Sequence, residues 1–197
     1  MIKLWVRLFI LLTYTEHFGH QNILVYDNRK FPDIETHDKA LIQNWNNAVG
    51  YEDDVYVLGD ISWHNASKTI EILNQLNGNI HLIIGNHDGK LLKNRELRNR
   101  FCEICHYKEL DLGNGKGLIL QHYPSPFFKN QHRGWYHLYG HVHNSYEWNM
   151  VENLKYQINT LYETPCNMFN CGVMMSYMNY TPQTLEDIIN GSPDAHI

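Results

Sequence analysis

Six residues able to bind a metal recur along this chain, each shortly after an apolar run: His17, Asp60, Asn86, His122, His141 and His143. They offer imidazole nitrogen, carboxylate and carboxamide oxygen without thiolate, a set that suits Mn²⁺, Fe or Zn²⁺. A carboxylate such as Asp60 can bridge two ions about 3.5–4 Å apart, which generates hydroxide at neutral pH and clamps the attacking and leaving oxygens of a phosphoryl group. His87 and Asp88 follow Asn86 directly, and an imidazole beside such a pair is suited to passing a proton. The chain holds 13 histidines. Scattered surface imidazoles would be the bland account of that number, so their positions must decide. His37, His81, His106, His132 and His196 are expected to be structural or exposed, His64 to line the cleft or, the favoured reading, lie at the surface, and His137 to pack or hydrogen-bond within a strand.

These residues need elements to position them. Apolar β-rich runs cover residues 4–14, 55–58, 80–84, 117–120 and 136–139, with a weak run at 171–177. Residues 36–49 place Ala40, Leu41, Trp45 and Ala48 on one helical face. Residues 65–76 do the same with Ile70, Leu73 and Leu76, and Gly78 is placed to stop that helix. A last helix is expected with Thr181 as N-cap, Pro182 at its first position and Gly191 as its stop. Strands alternating with helices predict an α/β layered domain. In such folds the site lies outside the carboxyl ends of the strands, which is where His17, Asp60, Asn86, His122 and His141 fall. Histidines two apart on an extended segment face opposite ways, but after Gly140 the chain can turn so that His141 and His143 reach neighbouring ions.

Length and composition bound the remainder. The 197 residues, 43% hydrophobic and 19% charged, fit one globular domain spanning residues 1–197. A net charge of -5 argues against non-specific nucleic-acid binding, which needs a cationic surplus, and leaves room for a small phosphorylated substrate. Cys102-x-x-Cys105 and Cys166-x4-Cys171 are poorly spaced for zinc; reduced thiols in a reducing compartment are expected. Residues 1–12 are apolar but carry Lys3 and Arg7, too short for a membrane helix and without the form of a signal peptide. They read as part of a buried first strand of a soluble, cytoplasmic protein.

Taken in order, Gly59-Asp60, Gly85-Asn86-His87-Asp88, His122 and Gly140-His141-Val142-His143 resemble the calcineurin-like metallophosphoesterases. Outside the site, Glu16-His17-Phe18-Gly19-His20-Gln21-Asn22-Ile23, Tyr26-Asp27-Asn28-Arg29, Asn44-Trp45-Asn46 and His137-Leu138-Tyr139 are similar to the small bacterial and phage members. The resemblance covers residues 4–190. It implies a two-sheet β-sandwich flanked by helices, in four αββα layers, with two divalent metal ions (Mn²⁺, Fe or Zn²⁺) at one edge. By resemblance, Asp60 bridges the ions, Asn86, His122 and His141 complete one, and His17 and His143 belong to the other. His87 would protonate the leaving oxygen, with Asp88 orienting its ring. His20 would reach the phosphate or cap the following helix, and Arg29 would bind a phosphate oxygen or be solvated.

One residue departs from the family, which begins this motif with Asp-x-His where the present chain has Thr15-Glu16-His17. Threonine supplies no carboxylate, so an intact second metal position and a weakened first one are expected; Glu16 could stand in only if a distorted strand end turned it towards the site. The resemblance implies a metal-dependent phosphoesterase acting on a phosphomono- or phosphodiester. Thr15 keeps alive an alternative, a catalytically weakened homologue serving as a binding or scaffold module, which His87 and Asp88 oppose. A nuclease would want a basic groove, and the charge pattern shows none. Residues 129–134 and 144–157 are expected to be loops that set specificity.

Overall fold

The apolar runs of this chain are nearly continuous rather than alternating, as strands buried on both faces require. A computed structural model describes residues 10–13 and 16–192; Thr15, Tyr14, residues 1–9 and His196 lie outside the described residues. The first sheet contains β1 (Ile10–Thr13), β2 (Asp54–Val57), β3 (Asn79–Ile83) and β4 (Glu103–Cys105), all parallel, with β9 (Gln183–Thr184) antiparallel on the other side of β1. The second contains β5 (Tyr107–Gly113), β6 (Lys116–Gln121), β7 (Tyr136–Tyr139) and β8 (Asn167–Asn170), in that order. There β6, β7 and β8 are parallel and β5 is an antiparallel edge.

The sheets stack face to face. Leu12, Tyr56, Leu58 and Ile83 from the first meet Leu118, Leu120, Leu138 and Phe169 from the second in one apolar cluster. The opposite face of the first sheet, including Val55, Val57 and Leu82, is covered by α2 (Ile34–Ala48) and α3 (Ala66–Leu73). On the outer face of the second sheet, Tyr139 and Met168 pack against Ile158 of α5 (Tyr146–Leu161). The short α1 (Ile23–Tyr26), α4 (Arg95–Arg98) and α6 (Leu185–Gly191) complete the elements. The fold is therefore an α/β layered one, two sheets flanked by helices. No described helix is long and apolar enough to cross a membrane.

Several expectations shift in detail. Along α2 the buried apolar stripe is Ile34, Leu41 and Trp45, joined by His37 and Asp38, while Ala48 is exposed; Asp33 caps the helix two residues earlier than expected by accepting from Thr36 N–H. The last helix begins after Thr184, not Thr181: Thr184 and Asp187 form a reciprocal capping box, and Gln183–Thr184 first pairs with β1. Residues 144–157 are not a loop but run into the 16-residue α5, capped by Ser145. The weak run at 171–177 forms turns, and the strand there is β8, just before it. The polar β5 is not among the apolar runs, although Asn114-Gly115, both at positive φ, is the pair that a two-residue hairpin turn demands.

Candidate metal centre

Every parallel strand that delivers a site residue ends at the same edge. Beyond β1 come Glu16 and His17, beyond β2 Asp60, beyond β3 Asn86 and His87; beyond β6 lies His122, and beyond β7 His141 and His143. His17, Asp60, His141 and His143 all take left-handed backbone conformations, with φ of 53°, 54°, 65° and 48°. Such conformations cost roughly 1–3 kcal/mol each for a residue with a Cβ, and their gathering at one edge marks a site held by the surrounding fold. The pair His141 and His143 is thus not extended at all, which removes the opposite-faces objection. Gly85 is required where the loops meet: a Cβ there would run into the carboxylate and amide of Asp60 and the ring of His122.

Asp60, His122 and His141 form the group of described side chains able to hold a metal ion, each with a ligand atom within 4.8 Å of the others. No cysteine joins it; the four thiols are free. His122 Nδ1 donates to the Leu58 carbonyl at 2.8 Å, so its lone pair is at Nε2. That atom faces Asn86 Oδ1 at 2.7 Å and Asp60 Oδ2 at 3.7 Å. Burial and the neighbouring imidazoles hold His122 at a pKa of about 4, so no proton bridges these acceptors near neutral pH. Electron pairs converging with no hydrogen between them are what a cation would satisfy.

His17 makes the same case on the other side. It is 3% exposed, neither ring nitrogen has a hydrogen-bond partner, and burial followed by the nearby His143 and Arg29 holds its pKa well below the usual histidine value. Its ring lies 4.9 Å from that of His143 and stacks at 4.2 Å on Trp63. A buried imidazole left unpaired is costly. The donor set of Asp60, His122 and His141 therefore fits a metal ion, and the unpartnered His17 lies beside His143. Burial, against the hydrogen bond from His87 N–H, pushes Asp60 up to about 6, which a bound cation would reverse.

The remaining candidates are placed as follows. A cavity of about 450 Å³ is lined by His17, His20, Asp27, Asp60, Trp63, His87, His141 and His143 among others. His87 is exposed; its N–H donates to Asp60 Oδ1 at 2.8 Å and its ring meets Trp63 at 4.7 Å. It also lines a second cavity of about 730 Å³ with Trp63, His64, Asn86 and Lys90. Asp88 does not touch the His87 ring: its buried carboxylate accepts from the backbone N–H groups of Asp60 (2.9 Å), Ile61 (3.1 Å) and Gly85 (2.7 Å). His20 stacks on Trp63 at 4.3 Å and faces the cavity rather than capping a helix. Arg29 is neither solvated nor aimed at the cavity. It is 3% exposed and its fork grips Asp27 Oδ2 at 3.0 and 2.8 Å.

Glu16 is no ligand in this structure. It is buried, accepts from Thr13 Oγ1 at 2.5 Å, and burial raises its carboxyl to about 7. Trp63 and Asp27 line the cavity without having been candidate site residues, although Asp27 falls within the Tyr26-Asp27-Asn28-Arg29 segment. Trp63 is a platform for three imidazoles, legible only once the loops meet. Asp27 could have been suspected from its place two residues before Arg29 in an otherwise polar turn.

Fold and site together define an α/β layered protein with a candidate metal centre of nitrogen and oxygen donors where its two sheets end. No family model matches the sequence. The chain is 34% identical over 177 residues to the uncharacterized protein MJ1445 of Methanocaldococcus jannaschii, across 88% of this chain and 85% of that protein, and it belongs to the same family. It is 37% identical over 83 residues to the gene 66 protein of Mycobacterium phage L5, 41% of this chain and 40% of that protein. Among solved structures, the protein of unknown function AQ665 from Aquifex aeolicus shares the fold, with a TM-score of 0.60 and 21% identity over 93% of this chain and 99% of that one. The nuclease MPE of Pseudomonas putida is 20% identical over 68% of this chain and 60% of that one, at a TM-score of 0.41, a likeness that bears on neither fold nor activity.

Proposed function

We propose that the protein is a metal-dependent phosphoesterase that hydrolyses a phosphomono- or phosphodiester. The observation that carries this reading is the convergence of Asp60, His122 and His141, with Asp60, His141 and the unpaired His17 on the wall of a cavity that also includes the exposed His87. When bound, divalent ions supply positive charge to phosphoryl oxygens and lower the pKa of water. The chain's own residues do the rest. His122 and His141 are held neutral by burial, so their lone pairs stay available near neutral pH. Trp63 covers the rings of His17 and His20 and keeps water from their faces. His87, fixed through its backbone to Asp60, stands between the two cavities and holds a proton at a ring nitrogen for the leaving oxygen. The second cavity, which His87 also lines, would give an ester substituent somewhere to go.

The test is hydrolysis of p-nitrophenyl phosphate and bis(p-nitrophenyl) phosphate by purified protein across a Mn²⁺ titration, beside His87→Ala. Saturable, metal-dependent turnover that falls about 10²–10⁴-fold in the variant is expected. Folded protein that binds the metal and turns over neither ester would overturn the reading and favour a binding module.

A further inference from the structure

The His17–His143 side of the site is short of negative charge. Residue 15 is threonine, and Glu16 is turned onto Thr13. A carboxylate arrives from elsewhere in the chain. Asp27 follows α1, lines the cavity with His17 and His143, and its side chain is 4% exposed.

His143 Nδ1 lies 2.9 Å from Asp27 Oδ1 and 3.1 Å from Oδ2. An ionised carboxylate only accepts, so the imidazole donates from Nδ1 and keeps its lone pair on Nε2. Oδ2 also receives Nε and Nη2 of Arg29, so the guanidinium on Oδ2 and the imidazole, nearest Oδ1, hold the carboxylate between them. Arg29 is itself anchored, its Nη1 donating to the Glu16 carbonyl at 3.3 Å and lying 2.8 Å from His37 Nε2. The Glu16 carbonyl belongs to the residue just before His17, so one guanidinium braces both the segment that carries His17 and the carboxylate that aims His143. That chain of contacts explains why a buried arginine beside the cavity does not face it.

We propose that Asp27 is the positioning carboxylate of the His17–His143 metal position, setting the tautomer of His143 and passing negative charge to the metal through its ring, with Arg29 as the brace. The inference rests on the metal-centre reading above. A carboxylate behind a ligating histidine makes the imidazole a stronger donor and orients it, and losing one costs about 10–100-fold in metal affinity. Charge that the usual aspartate would bring by direct contact arrives here one ring further out.

The experiment uses the full chain. In metal-free wild-type protein, nitrogen-15 NMR of the histidine rings should show His143 protonated at Nδ1. Asp27→Asn keeps an oxygen for that hydrogen bond and removes the charge. Competition titration with Zn²⁺ should then show one of two ions bound about 10–100-fold more weakly, the other unchanged, and gel-filtered protein retaining one ion instead of two. Activity lost at low metal should return at high metal, a rise in metal requirement rather than a fall in limiting kcat. His143 protonated at Nε2 in the wild type, a measurement that needs no variant, would overturn the proposal, as would Asp27→Asn binding both ions with wild-type affinity. Two ions bound in the wild type and one lost in the variant, without turnover of either ester, would sink the phosphoesterase reading and leave the role of Asp27 standing.

Discussion

Asp88 shows how one side chain can build a site without touching its ligand positions. Its two oxygens receive three backbone N–H groups from the loops after β2 and β3, and those loops carry Asp60, Asn86 and His87. Asp88→Asn preserves the shape but replaces one accepting oxygen with an amide donor. At least one buried N–H then faces another donor, at a cost of about 1–3 kcal/mol. Urea unfolding of the metal-free variant should show that loss, and a change below roughly 0.5 kcal/mol, the range of an ordinary surface substitution, would refute the role. The same residue marks where reading from residue type stops. An acid next to His87 invites the role of orienting its ring, yet only the folded loops reveal that three amides claim it first. Asp27 is the converse, a carboxylate given no site role by residue type that the fold brings against a histidine 116 positions away.

Among the elements, β7 carries a titration that can be isolated. His137 is fully buried, its Nδ1 donating to the Ile119 carbonyl at 3.1 Å and its Nε2 accepting from Ser125 N–H at 3.0 Å. Burial outweighs the hydrogen bonding to the backbone of Ile119 and Tyr123, which favours the charged ring, and lowers its pKa from 6.5 to about 4. Below pH 6.5 the unfolded chain takes up a proton that the folded chain refuses until pH approaches 4. Stability present above the unfolded pKa is therefore lost as the pH falls through that window, by about 2 kcal/mol from pH 7 to pH 5 for this group. His122, also near 4, adds to the wild-type fall in metal-free protein. His137→Gln should remove one share of it, so chemical unfolding at pH 7 and pH 5 ought to differ less in the variant; an unchanged pH dependence would place the loss elsewhere. The central parallel strands were legible because burial on both faces makes them continuous apolar runs. β5 was not, because an exposed edge strand can be as polar as a loop, and α5 was not, because only Lys155 and Ile158 of its residues are buried.

At the scale of the molecule, the candidate metal centre joins the two sheets. His17, Asp60 and Asn86 come from loops of the first, and His122, His141 and His143 from loops of the second. A ligand that binds only the folded state at 100 times its dissociation constant stabilises by about 2.7 kcal/mol, which for a chain of this size is a Tm rise of about 5–10 °C. Mn²⁺ should raise the melting temperature by that order and EDTA should reverse it, in one transition, with the rise abolished in Asp60→Asn. A metal-insensitive Tm, or two separate transitions, would argue that the sheets are not joined through this site. By itself the sequence determined the layered α/β fold and the edge at which the donors gather, because local apolar periodicity, glycine and strand-end position are properties of short segments. Tertiary structure alone decided which side chains serve whom: that Asp88 binds backbone, that Arg29 braces Asp27 rather than facing the cavity, and that Asp27 aims His143. Those pairings depend on contacts between distant segments, and no local pattern encodes them.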